Sequence, residues 1–194
     1  NSRAGYMFQG EALLPWRSAL DNVVAGLVDC CIRPGQHIGV LMDTRPSALV
    51  VIAALSRLGA VAVLLAADAD VREMMRLADS SVIVTDPTNL DLASAASDRV
   101  LVLGGGSGDS RAIDGADGTS IVDMERIDPD EVVMPTWYRP DPGLAGDLAF
   151  ILFSRAYGKL VPWPVTNHRF AMSAFGAAAA AGPWWGGMGT RSRC

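Results

Sequence analysis

Residues 46–65 read PSALVVIAALSRLGAVAVLL, and from Ala48 to Ala67 the only polar side chains are Ser56 and Arg57. An apolar run of that length could form a helix that crosses a bilayer. Gly59 argues for a different division. A glycine directly after Arg57-Leu58 can end a helix in the left-handed conformation, and the short β-branched run that follows suits a strand buried on both faces. Pro46 fits the first turn of the preceding helix, where its missing N–H costs nothing. The stretch therefore predicts a helix over 46–58, a one-glycine stop and a strand over 61–65.

The same unit recurs on either side. Upstream, Leu20, Val23, Val24, Leu27 and Val28 follow a three-and-four spacing, and Asp21 lies three residues after Ser18, as a capping partner would. This predicts a helix over 18–31, stopped by Arg33-Pro34-Gly35, and a strand over 37–42. Downstream the pattern predicts helix 70–78, strand 81–85, helix 88–96 and strand 99–103. Asp68 and Asp70 serve there as cap and dipole partners rather than metal ligands. Units of about 20 residues are long enough for crossovers between parallel strands. The fold class is α/β, with a mostly parallel sheet and helices on both faces.

Half of the 194 residues are apolar and 19% are charged, enough to bury a sizeable core. Sixteen basic against twenty-one acidic residues give a net charge of −5 with no basic block, which argues against nucleic-acid or anionic-membrane partners. Cys30, Cys31 and Cys194 have neither metal-ligand spacing nor a secreted disulfide pattern. No signal peptide is recognisable at the N-terminus. Together these features predict a cytoplasmic protein without a transmembrane span.

Beyond Leu103 the chain is rich in Gly and Asp to about Ser120, a surface loop that lacks a phosphate-binding fingerprint. A short strand and an acidic helical turn are expected over 121–133, and an extended connector over 135–143. A strand over 147–153 then leads through a polar loop, 154–164, into a helix from Thr166 to about Ala181. Strand, loop, helix is a common ligand-binding arrangement in α/β proteins. His168 is expected at a surface or capping position, and His37 has no catalytic role.

Several of these segments resemble the AMP-forming acyl-CoA synthetases, or fatty-acid-CoA ligases, of the adenylate-forming superfamily. Arg33-Pro34-Gly35-Gln36-His37-Ile38-Gly39-Val40-Leu41-Met42 is similar to that family's "RPGD+VGVLM" strand entry. Residues 45–50 and 59–64 resemble its following helix and strand. Residues 147–154 resemble the strand before its phosphate loop, and Pro164-Val165-Thr166-Asn167-His168-Arg169 resembles the "pvTNxR" helix start behind that loop. The connector Trp137-Tyr138-Arg139-Pro140 is similar to the ligase half of a mycobacterial-type bifunctional long-chain acyl-CoA synthetase/lipase. The resemblance implies that residues 1–181 form part of the large N-terminal domain of an adenylate-forming enzyme. Residues 182–194 form an irregular tail. One permitted codon choice for residues 189–194 encodes, in a shifted frame, Asp-Thr-Val-Ser-Leu after a glycine, which is the continuation the family implies.

The complete parent would use ATP, Mg²⁺ and CoA, joining a fatty acid to AMP and then to CoA. Its small-molecule partners would be fatty acid, ATP and CoA, and the remainder of the ligase would lie beyond residue 194. The family's phosphate loop is roughly T-S-G-T-T-G-x-P-K, in which glycine backbone N–H groups, hydroxyls and a lysine meet phosphate. Here the corresponding candidates are Ser154, Arg155, Gly158 and Lys159, a degenerate set. An ordinary turn explains the same residues. With that loop and without the remainder, the isolated chain is expected to be inactive, with no catalytic residue and no metal ligand of its own. The alternatives are a non-catalytic scaffold module of a lipid-metabolic protein and an unrelated doubly wound binding domain.

Overall fold

The computed structural model describes residues 18–104 and 119–180. Helix α1 (Ala19–Asp29) starts at Ser18, whose hydroxyl accepts the Asp21 N–H (3.1 Å) and donates to the Asp21 carboxylate (2.8 Å). Strand β1 (His37–Leu41) follows, then α2 (Pro46–Leu58) and β2 (Val61–Leu64). The long apolar run is thus divided as predicted. Gly59 has φ 74, and the N–H groups of Gly59 and Ala60 turn back to the carbonyls of Ser56 and Leu55 in a Schellman closure. No helix among the described residues is long and apolar enough to cross a membrane.

Helix α3 (Val71–Leu77) is capped by Asp70, which accepts the Glu73 N–H (3.0 Å). Strand β3 (Val82–Thr85), a short 3₁₀ turn, helix α4 (Leu90–Ala96), β4 (Arg99–Val102) and β5 (Ser120–Asp123) complete the repeating part. The predicted glycine-rich loop falls mostly on 105–118, outside the described residues, as does the tail 182–194. Beyond the connector lie β6 (Leu148–Ala156), β7 (Lys159–Thr166) and α5 (Asn167–Ala180).

The seven strands form one sheet in the order β5-β4-β3-β1-β2-β6-β7. All neighbours are parallel except β6 and β7. Helices α1 and α2 cover one face, where Leu27, Val51 and Leu55 pack with Ile38, Val84 and Leu101. On the other face Val71, Met75 and Ala93 pack with Leu41, Ile83 and Val102. Central strands are therefore apolar on both sides, and each buried Val, Ile or Leu stabilises the fold by about 1.5–3 kcal/mol.

The connector is tied down in passing. Arg33 stacks over Trp137 at 4.6 Å, Arg57 Nε donates to the Tyr138 hydroxyl (3.4 Å), and Asp141 N–H donates to the Arg57 carbonyl (3.0 Å). These contacts carry the chain across the ends of α1 and α2 to the start of β6.

One expectation is corrected. The polar loop over 154–164 does not exist as a loop: β6 runs three residues past the predicted end at 153, and β7 occupies most of the rest. A local reading underrates this segment, because its strand character comes from pairing across the hairpin and not from apolar content.

Candidate functional site

Strand β6 joins the sheet where Ala62 pairs with Phe150 and Val63 with Ile151. Past Ile151 no β2 partner remains, and β6 continues with β7 alone, from Leu152↔Trp163 to Ala156↔Lys159. Tyr157 (φ 50) and Gly158 (φ 77) close the hairpin. Two consecutive residues with positive φ make a type I′ turn, whose twist matches that of the paired strands. Gly158 adopts this conformation without strain. Tyr157 has a Cβ, bears the strain, and projects its ring fully into solvent.

Antiparallel pairs alternate between those that exchange two hydrogen bonds and those that exchange none. Pro162 and Pro164 cannot donate, and both lie in the same alternation, opposite Phe153 and Ile151. That places Lys159, Val161 and Trp163 in the hydrogen-bonded class. The backbone N–H and C=O groups of Ser154, Ala156 and Lys159 are thereby engaged in the ladder.

Alternation also sorts the side chains. Ser154 and Lys159 fall on the face shared with Phe150, as diagonal neighbours across the hairpin, while Arg155 falls on the opposite face with Phe153. Gly158 sits in the turn. The structure thus brings together two of the four candidate residues and separates the third. All four are exposed.

The start of α5 offers little more. Thr166 caps it, its hydroxyl accepting the Arg169 N–H (3.2 Å). The N–H groups of Asn167 and His168 donate to the carbonyls of Asp147 and Ala145 (both 2.9 Å). The first-turn donors that could otherwise face an anion are engaged. Arg169 lies 5.6 Å over the Trp163 ring, and Phe150 meets Phe170 edge-on at 4.8 Å. These residues do not fit the cradle of converging glycine N–H groups, hydroxyls and lysine that a nucleotide triphosphate requires.

A second polar cluster, which the sequence analysis missed, lies at the carboxyl ends of β1 and β3, where the strand order reverses direction and α/β proteins often place ligands. Asp86 is wholly buried there. Its carboxylate accepts from the Asp43 N–H (2.8 Å), the Asn89 N–H (3.0 Å) and the Asn89 side-chain amide (3.0 Å), with Arg45 Nε at 3.6 Å. Such a satisfied carboxylate locks two loops together. Only the three-residue spacing of Asp86 and Asn89 was visible locally, a helix-cap signal.

A cavity of about 640 Å³ opens at the other end of the sheet, lined in part by Gly35, His37, Ser56, Asp147 and Asn167. Three of its polar side chains are engaged: His37 Nδ1 donates to the Ala78 carbonyl (2.5 Å), Asp147 accepts the Leu144 N–H (2.8 Å), and the Asn167 amide donates to the Leu144 carbonyl (2.9 Å). Among the described residues, no three His, Cys, Asp or Glu side chains are grouped to hold a metal ion. Burial pushes the Cys30 thiol up to about 11, and neighbouring Asp29 adds to the effect.

No family model and no curated protein sequence matches the chain. Solved structures do match its fold. A protein assigned as a long-chain-fatty-acid CoA ligase from Rhodopseudomonas palustris superposes with TM-score 0.61 at 13% identity, over 83% of this chain and 39% of its own. An acyl-CoA synthetase of Brucella canis gives 0.58 at 19% identity, over 82% of this chain and 29% of its own. The O-succinylbenzoate coenzyme A synthetase of Bacillus subtilis, in complex with AMP, gives 0.58 at 17%, over 85% and 38%. The chain therefore has the fold of part of these ligases and spans less than two fifths of the length of each of these three.

Proposed function

We propose that this chain is the N-terminal part of an AMP-forming acyl-CoA ligase of the long-chain fatty-acid class. The observation that carries the reading is a coincidence of order. The four sequence segments that resemble the family fall, in sequence, on β1, on α2 with β2, on β6, and on the junction of β7 with α5. The fold they build is shared with CoA ligases.

The complete protein would join a fatty acid to AMP with loss of pyrophosphate, then pass the acyl group to CoA, with Mg²⁺ neutralising phosphate charge. The adenine-binding motif, the ribose-gripping acid and the distal lysine belong to the remainder beyond residue 194. The chain alone carries no adenylation. Fatty-acid-dependent exchange of pyrophosphate into ATP by the purified 194-residue chain is expected to stay at the blank, and clear exchange would refute its inactivity. The ligase reading itself is tested by the coding DNA past Cys194, translated in all frames. An adjacent frame that continues with those motifs supports it. Their absence from every frame refutes it in favour of a scaffold module, a second reading that the closed hairpin also favours.

A further inference from the structure

We infer that the β6–β7 hairpin excludes nucleotide phosphate, so that no ATP-dependent step runs through residues 154–159. The inference rests on the ligase reading only for the choice of ligand, since the hairpin's geometry stands by itself.

Three observations combine. First, a phosphate cradle needs a run of backbone N–H groups turned inward on a concave loop. Here the chain reverses in two residues, Tyr157 and Gly158, directly between the paired Ala156 and Lys159. The donors on either side belong to the ladder. Second, the cationic side chains do not converge. Lys159, the sole lysine of the chain, points to the same face as Ser154, while Arg155 points to the other. The N–H groups of Asn167 and His168 at the start of α5 are bonded to the connector.

Third, the hairpin cannot open by slipping. A one-residue shift would move Pro162 and Pro164 into hydrogen-bonded positions that need an N–H, and would turn every side chain of β7 to the opposite face. Freeing a loop long enough to wrap a phosphate would mean breaking the pairs Ala156↔Lys159, Arg155↔Leu160 and Ser154↔Val161 together.

The test uses the whole chain with Mg·ATP and with inorganic pyrophosphate as probes. Because Lys159 is the sole side-chain amine, its acylation by a water-soluble active ester, mapped by peptide mass, reports occupancy of the hairpin directly. Calorimetry reports binding anywhere. At millimolar probe the Lys159 labelling rate is expected to change by less than about twofold. Saturable heat accompanied by strong protection of Lys159 would overturn the inference, whereas heat without protection would place the nucleotide elsewhere and uphold it.

A second protein replaces residues 154–159 with an open T-S-G-T-T-G-x-P-K loop and is checked for unchanged circular dichroism. It is expected to gain pyrophosphate binding with at least about tenfold protection of its loop lysine, a difference of about 1.4 kcal/mol. A folded open-loop variant that gains nothing would show that hairpin closure is not what excludes phosphate. The translated DNA beyond Cys194 tests the ligase reading separately, by sequence and not by binding.

Discussion

Replacing Gly59 with alanine tests the joint on which the fold turns. Gly59 has φ 74, and a Cβ built there would lie 2.7 Å from Cγ of Pro142. A left-handed L-residue costs about 1–2 kcal/mol. The collision adds about 1–3 kcal/mol, because Pro142 sits in a ring on a connector pinned at Trp137, Tyr138 and Asp141 and cannot rotate aside. The sum, about 2–5 kcal/mol, is a large part of the 5–15 kcal/mol by which domains are usually stable. Equilibrium urea unfolding followed by tryptophan fluorescence should show a lower midpoint with unchanged slope. Combining Gly59→Ala with Pro142→Ala separates the two costs: the collision should be relieved while the left-handed penalty stays. A loss below about 0.5 kcal/mol in the single variant, or no recovery in the double, would refute the account of how α2 ends against the connector.

Three further outcomes follow from other parts of the molecule. Asp86→Ala leaves the Asp43 N–H without its acceptor, the Asn89 N–H with the residue-86 carbonyl alone, and Arg45 without its buried partner, and should cost about 3–5 kcal/mol in urea unfolding, with Asp86→Asn costing less. Tyr157→Asn puts a residue tolerant of positive φ into the type I′ turn and forfeits no burial, so the melting temperature should rise, corresponding to about 0.5–1 kcal/mol; a fall would mean that the ring has a partner. The Cys30 thiol is raised from about 9 to about 11, so the unfolded chain releases its proton first as pH rises. Stability should therefore fall between pH 9 and 11 by no more than about 2–3 kcal/mol, and Cys30→Ala should remove that part of the slope.

The repeating part of the fold was legible because each signal is local. Pro46 and Gly59 bracket α2, Ser18 and Asp70 cap their helices, and the apolar runs of β1 to β4 are short and uninterrupted. The hairpin was not legible, for the opposite reason. Ser154, Arg155 and Lys159 look like loop residues, and Pro162 and Pro164 argue against a strand on their own. They belong in β7 only because each faces a non-bonded position of β6, a relation that exists once the chain has turned at Tyr157-Gly158. The arrangement of the candidate residues in space was therefore not readable along the chain. The Asp86 cluster was hidden because it joins Asp43 and Asp86, 43 residues apart, through the adjacency of β1 and β3.

The prolines of β7 also determine how copies of this sheet can associate. Their backbone nitrogens lie along the outer border of the strand, where an incoming chain would look for donors and find none at 162 and 164. Filament growth by strand addition needs two receptive borders per molecule, one to accept and one to offer. β7 makes a poor one of the two, because an added strand would find no N–H at Pro162 or Pro164.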